Sequence, residues 1–489
     1  VKLYPTFNSE IFWVTKTKHI LTTICFLAVL IGNPAMGSIR YVPDDYATIQ
    51  DAVNACNDFD TVVIAPGIYT GAGNREIKLN GKSLTIRSVD PCDPNTVNTT
   101  IIDCGGQARG FACHLGENID VTVAGLTITN GYGLLGGAIY SYNNSSPKIA
   151  NCVITKNSAA FGGAIATTNS RSRPNITNCI ITSNSALVGG GGIYCNGGSP
   201  TIQNCIIAGN SAPDGGAMYS HNAGNPLIAN CTIATNAAVG SAGGIYCYKS
   251  SNATIKNSIL WGNTAPLAPE VRVSSLGAPT SIWISYCDIQ DLENSVVCDS
   301  DCTIEWGHGN IDSNLCLAKM GYINNKIYAA GDYHLLEGSP CIDAGDPEYV
   351  AAFGETDIDG HRRILGGIID IGADEFVPPI PAIIKITPQS LNLTSNGNWV
   401  NCNIQLPEDY NVADIDAATV VLNGKVKSQW SSIEKDGTKL LVKFNRAEVQ
   451  DMLKDADGNV SLEVKGTLKD GTVFKGTDTI RIISAGGKK

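Results

Sequence analysis

The sequence predicts an all-β protein: a right-handed parallel β-helix with three short strands per coil of about 26 residues, followed by a small antiparallel β-sandwich. Three observations predict it. A block of the form Pro-x-Ile-x-Asn-Cys-x-Ile recurs through the middle of the chain. The apolar runs are only three to five residues long and alternate with period two, which suits strands and not helices. Only 16% of residues are charged while Gly occupies 52 of 489 positions, a composition of short strands and tight turns.

Residues 1–37 read as a secretory signal. Lys16, Lys18 and His19 precede an apolar run from Ile20 to Ile31, and Ala35-Met36-Gly37 supplies small residues for cleavage. That run is short of the ~20 residues that span a bilayer, so no membrane span is expected once the signal is removed. The chain from 38 to 376 reads as the β-helix. Its start, Thr48-Ile49-Gln50-Asp51-Ala52-Val53-Asn54-Ala55, is a short amphipathic helix, followed by a first coil from Asp60 to Tyr69. A solenoid end exposes apolar core and unpaired strand edges, and such a helix covers both.

The repeats come next. Their Asn-Cys step occurs at Asn151-Cys152, Asn178-Cys179, Asn204-Cys205 and Asn230-Cys231, and fades to Asn257-Ser258; the intervals are 27, 26, 26 and 27 residues. A second block runs Gly137-Ala138-Ile139-Tyr140, Gly163-Ala164-Ile165, Gly192-Ile193-Tyr194, Gly216-Ala217-Met218-Tyr219 and Gly244-Ile245-Tyr246. A third recurrence is Asn157, Asn184, Asn210, Asn236 and Asn263. Stacking such coils pairs each strand with its copy one turn on, ~4.8 Å away. Asn151 and its copies then occupy a sharp bend, where Asn tolerates a left-handed backbone and can hydrogen-bond up the axis. Cys152 and Ile154 lie two residues apart and share the inward face. Ladder cysteines have parallel Cβ vectors, a poor geometry for bridging, so they are expected as reduced, packed apolar groups. Disulfides are expected outside the repeats, as Cys298 with Cys302 or Cys92 with Cys104.

These alternating blocks resemble the repeats of the chlamydial polymorphic outer-membrane proteins and, more broadly, the right-handed β-helix superfamily that includes pectate lyases. Residues 266–376 lose the strict repeat but carry Asp332-Tyr333-His334-Leu335, Ser339-Pro340-Cys341-Ile342-Asp343-Ala344-Gly345-Asp346, Asp357-Ile358-Asp359-Gly360-His361-Arg362-Arg363 and Asp370-Ile371-Gly372-Ala373-Asp374-Glu375-Phe376. In that order they resemble the closing region of bacterial β-helix proteins of the choice-of-anchor Q type, which implies an exported and often surface-held protein. The Pro-rich stretch 377–381 reads as a stiff linker. Residues 382–489 read as the sandwich, with strand alternation at Leu440–Phe444 and turns at Asn423-Gly424, Asp436-Gly437, Asp457-Gly458 and Asp470-Gly471.

The net charge of −11 excludes nucleic acid as a partner. β-helix enzymes act on polysaccharides, and glycosidic hydrolysis takes paired carboxylates. Between Val121 and Pro266 the only carboxylate is Asp214, so the middle coils cannot supply a pair. Gly307-His308-Gly309 matches a polygalacturonase motif whose companion motifs are missing from this sequence. Acids gather instead at Asp343, Asp346, Asp357, Asp359, Asp370, Asp374 and Glu375, beside Arg362 and Arg363. We read them as a charge network that closes the solenoid, with calcium at Asp357 and Asp359 as the alternative; no other cofactor is expected. The binding feature is a ladder of outward tyrosines, Tyr140, Tyr194, Tyr219 and Tyr246, whose ring faces suit sugar rings. The expected function is a secreted or cell-surface, non-catalytic protein of adhesion or glycan binding, with polysaccharide or cell-envelope glycan as partner. The alternative is a polysaccharide lyase or glycoside hydrolase acting from the irregular end segments.

Overall fold

The computed structural model describes residues 37–313, 317–324 and 327–483. Residues 1–36 of the secretory-signal expectation lie outside the described residues. The chain divides into two compact units between Glu375 and Phe376.

The first unit is the parallel solenoid. One coil runs Lys148–Ala150, Val153–Thr155, Ser158–Phe161 and Ile165–Thr168, and each strand pairs in parallel with its copy in the next coil. Three sheets of eleven, nine and nine strands run along the solenoid. A fourth, of five strands, joins them in the middle coils, so those coils carry one strand more than the spacing predicts. The extra strand follows the third Asn recurrence, where Ser158–Phe161 pairs with Ser185–Gly189 through a register shift.

Period two puts one side chain of each short strand inward, and the repeat stacks identical ones. Ile149, Ile176, Ile202, Ile228 and Ile255 form one such row and are wholly buried. Each buried Ile contributes about 1.5–3 kcal/mol of transfer free energy. Asn151, Asn178, Asn204, Asn230 and Asn257 turn the corner between the first two sheets with φ of 52, 51, 53, 52 and 46°, the left-handed region that Asn tolerates. Cys152, Cys179, Cys205 and Cys231 follow inward, buried and free. The Cys179 amide donates to Cys205 Sγ at 3.4 Å.

The third Asn recurrence is a second, internal ladder. Asn157, Asn184, Asn210 and Asn236 each donate from Nδ2 to the Oδ1 of the next rung at 2.9–3.0 Å. Each also donates from Nδ2 to a core carbonyl. This satisfies polar groups that the solenoid's tight corners would otherwise bury unpaired.

At the N-terminal end the expected helix covers the first coil. It spans Ile49–Ala55, is capped by Thr48, and buries Ile49, Ala52 and Val53. At the other end, residues after Ser339 run back along the outside of the Asn bends. The Asp346 amide donates to Asn257 Oδ1 at 2.9 Å, Asn230 Nδ2 donates to Tyr349 Oη at 3.1 Å, and Asn204 Nδ2 donates to Glu355 Oε1 at 3.2 Å. Asn178 Nδ2 donates to the Thr356 carbonyl at 3.2 Å. The bend asparagines therefore bond up the axis only in part, as Asn230 to Asn204 and Asn257 to Asn230. Asn178 instead fastens this strap: its Nδ2 also reaches Thr356 Oγ1 and the Asp357 carbonyl.

The second unit is a β-rich fold that is mostly antiparallel, around its own core of Ile386, Val400, Val442, Phe444, Val464 and Phe474. Strand Val426–Ile433 pairs with Ile415–Leu422 at its start and with Leu440–Asn445 further on, so the strands of this unit form one connected sheet. Ile380–Pro381, expected in the linker, pairs in parallel with Phe474–Lys475. Ile380 is apolar and buried there, so that end of the Pro-rich stretch is part of the sheet.

Candidate functional site

The outer face of the third sheet, the nine-stranded one that holds Ile165–Thr168, collects the tyrosines. Ile139 points in, so Tyr140 and Tyr142 point out. Parallel register places Tyr140 beside Ala166, then Tyr194, Tyr219 and Tyr246 in successive coils. Tyr219 and Tyr246 stack with ring centroids 5.1 Å apart and planes at 16°. A second outward column, two residues further along, stacks His221 on Tyr248 at 5.2 Å and 7°. His221, Tyr248 and Tyr142 are part of the aromatic face though the repeat block did not single them out; their signal was the two-residue step from Tyr219, Tyr246 and Tyr140.

Tyr194 is the exception. It is 4% exposed, wedged between Phe161 at 4.8 Å and Tyr219 at 5.8 Å. Burial pushes its hydroxyl up to about 12 and raises those of Tyr219 and Tyr246. Phe161 belongs to the fourth sheet, which leans over this face. A Cβ on Gly189 of that sheet would lie 2.3 Å from Tyr219 Cδ1, so only glycine lets the strand approach the ring. The outward row predicted from sequence is thus interrupted: Tyr194 cannot meet a ligand.

At the N-terminal end of the same face is a cleft of about 190 Å³ lined by Glu76, Lys78, Arg109, His114, Tyr140 and Tyr142. Tyr140 and Tyr142 stack at 4.4 Å, and His114 stacks on Tyr142 at 5.5 Å. The Arg109 guanidinium sits 5.1 Å over the Tyr140 ring and pairs with Glu76 at 3.2 Å. Flat aromatic faces lie there beside fixed donors and acceptors, an arrangement that can hold a ligand with an apolar face and a polar edge.

Asp214 flanks the aromatic face. Its Oδ1 accepts from the Ser241 amide at 2.9 Å, and burial raises its carboxyl above the usual range. It is also close enough to act electrostatically on Tyr219 and Tyr246. His308 is exposed beyond the last strand of the first sheet, Thr303–Trp306.

The end-segment acids are mostly engaged. Asp357 is wholly buried; its Oδ1 accepts from the amides of Asp359 and His361 at 3.0 and 2.7 Å, and its Oδ2 from Glu375 N at 3.1 Å. With both oxygens accepting backbone N–H groups it organises the loop; Asp357, Asp359 and His361 nonetheless each bring one ligand atom within 4.8 Å of the others, so the calcium expected at Asp357 and Asp359 would share Asp357 with these amides. Arg363 is fully buried, 3.6 Å from Glu375, and donates to the carbonyls of Asp370 and Gly372. Burial pushes Glu375 up to about 7 and Asp374 to about 6. Asp359 Oδ2 accepts from His334 Nε2 at 2.6 Å, while His334 Nδ1 contacts Asp332. The hydrogen bond to Asp359 holds the imidazole pKa up at about 10.

The bridges expected between Cys298 and Cys302 and between Cys92 and Cys104 are not formed: all four are free, and Cys104 is buried in the core while Cys92 is exposed.

No curated protein matches the chain. Among solved structures, it is similar to pectate lyase Pel9A at 14% identity, covering 67% of this chain and 90% of that one with a TM-score of 0.38. It is also similar to the pectin methylesterase from Aspergillus niger at 14% identity, covering 58% and 88%, with a TM-score of 0.33. The family model described as right handed beta helix region matches residues 68–200, 109–286 and 188–315, which together cover just over half of the sequence. This chain belongs to the right-handed β-helix family.

Proposed function

We propose that this chain is an exported, surface-held glycan-binding protein that engages polysaccharide along the outer face of its third sheet. One observation carries the proposal: Tyr140, Tyr142 and His114 at one end of that face, and Tyr219, Tyr246, His221 and Tyr248 further along it, form two stacked aromatic groups in a single sheet. The interval holds the buried Tyr194, so two separate sugar-contacting patches serve one extended chain. Arg109, Glu76 and Asp214 supply the polar contacts. The charge-poor middle coils support binding over catalysis, since a single carboxylate cannot perform paired acid–base chemistry. The signal-like leader and the resemblance of the end segment to choice-of-anchor Q proteins support the surface location.

The test is affinity electrophoresis and calorimetry of the purified protein against acidic and neutral polysaccharides. At least one should bind, and Tyr219→Ala with Tyr246→Ala should weaken it about fivefold or more, each lost stacking contact contributing about 0.5–1.5 kcal/mol. Equal binding by this double variant would sink the assignment of the face. Release of new reducing ends from a bound polysaccharide would replace binding with catalysis.

A further inference from the structure

We propose that His334, Asp359 and Asp374 form a binding site for one divalent transition-metal ion of the zinc class, which staples the returning strap. The three side chains come from three phrases of the end segment that are far apart in sequence. Each offers one ligand atom, and these atoms lie within 4.8 Å of one another. A tetrahedral ion about 2.1 Å from each would hold them about 3.4 Å apart. That spacing falls between the present 2.6 Å contact of His334 with Asp359 and the 4.8 Å bound on the trio.

The surroundings carry the argument beyond a cluster of acids. His334 turns Nδ1 to the Asp332 carboxylate and Nε2 to Asp359; an ion bound at Nε2 takes the place of the proton there, which is released to solvent. A histidine whose second ring nitrogen is held by a carboxylate is the usual arrangement behind a metal-bound imidazole. Asp374 is 6% exposed, and its Oδ2 is fixed by the Leu335 amide at 2.7 Å. Asp359 is set by the loop that Asp357 organises, through the Asp359 N–H to Asp357 Oδ1 bond at 3.0 Å. Two ligands are thus preset by the fold, while His334 and Asp359 line an open rim about half and one third exposed. His361 lies in a second such trio with Asp357 and Asp359, so the two groups share Asp359. A nitrogen and two carboxylates suit a zinc-class ion; calcium would ask for oxygens alone and for more of them.

Geometry also says what the ion would do. Asp359 follows Thr356, which holds Asn178 of the solenoid, and Asp374 follows Gly372, whose amide donates to the Asn257 carbonyl at 2.9 Å. An ion joining both to His334 closes the strap into a loop around these anchors.

The experiment is calorimetric titration of the chelator-treated full chain with Zn²⁺, alongside the visible spectrum of the Co²⁺ form. One ion per chain is expected, with a rise in melting temperature and slower proteolysis of residues 340–375. His334→Ala should abolish binding, and Asp332→Asn, read on a sample whose circular dichroism is unchanged, should weaken it 10–100-fold. The Asp332→Asn variant keeps the test alive if His334→Ala fails to fold. Absence of Zn²⁺ binding, or binding unaltered in Asp332→Asn, overturns the proposal. So does a thiolate charge-transfer band in the Co²⁺ form, which would put the ion at the cysteines of the Cys298–Cys302 turn.

Discussion

Glu270 closes the internal asparagine ladder on Asn263: one carboxylate oxygen accepts the Asn263 backbone amide at 3.2 Å and the other accepts its side-chain amide. Every rung passes its Nδ2 toward this carboxylate, which is entirely buried, and burial pushes its pKa up to about 8 despite the two hydrogen bonds. The native state therefore holds a proton there that the unfolded chain, with a carboxyl near 4.5, releases. Stability from this group is full below about pH 4.5, falls as pH rises, and is lost above about pH 8. Glu270→Gln should flatten the dependence of melting temperature on pH between 5 and 8. A slope equal to that of the parent would show that Glu270 is not its source.

Asn210 sits at the centre of that ladder and holds four partners: it accepts from Asn184 N and Nδ2 and donates to Asn236 Oδ1 and the Ile181 carbonyl. Truncation leaves buried donors and acceptors without partners. Asn210→Ala should destabilise the solenoid by at least about 3 kcal/mol in urea unfolding. Asn196→Ala removes only the acceptor of an exposed amide bond from Asn222 and should cost no more than about 1 kcal/mol. Equal losses would mean that the inner ladder is not a structural spine.

Arg363 and Glu375 form the buried ion pair of the strap, with side chains 0% and 1% exposed. Arg363→Met leaves Glu375 buried without its cation and strips two carbonyls of their donor. The expected loss is about 3–5 kcal/mol, accompanied by protease cleavage within 340–375 before the coils unfold. Cleavage as slow as in the parent would show that the strap does not depend on this pair.

Thiol chemistry separates the packed cysteines from the accessible ones. Cys92 and Cys298 are exposed and Cys302 partly so, while the ladder thiols are buried. Burial pushes Cys104, Cys247 and Cys287 up to about 12. Among the described cysteines, a native sample should label at Cys92, Cys298 and Cys302 alone, and the others only in denaturant. Labelling of Cys179 or Cys205 in the folded protein would contradict their packing. Protection of Cys298 and Cys302, with a mass lower by two hydrogen atoms, would mean that they pair after all.

What could be read from the residues was whatever repeats. Spacing of 26–27 residues between Asn-Cys steps is one coil, so it decided which strands pair, that Asn151 and its copies turn the corner, and that Tyr219 lies beside Tyr246. In a solenoid each coil meets its own copy, and register follows from local sequence without knowledge of distant segments. The stacking of His221 on Tyr248 was within reach of the same rule and needed only a second two-residue step.

Tertiary structure decided everything carried by segments without a copy. Phe161 buries Tyr194 because a fourth strand leans onto the third sheet, a contact no period encodes. Asn178 holds Thr356 and Asp357 across more than 170 positions, and His334 meets Asp359 and Asp374 only because the strap folds back. Sequence alone determined the β-helix, its bends and its inward ladders, since one repeated local pattern suffices for each. The half-buried aromatic patches and the strap's polar cluster were decided by how non-repeating chain lies on that frame, where long-range packing and hydrogen bonding, not periodicity, choose the partner.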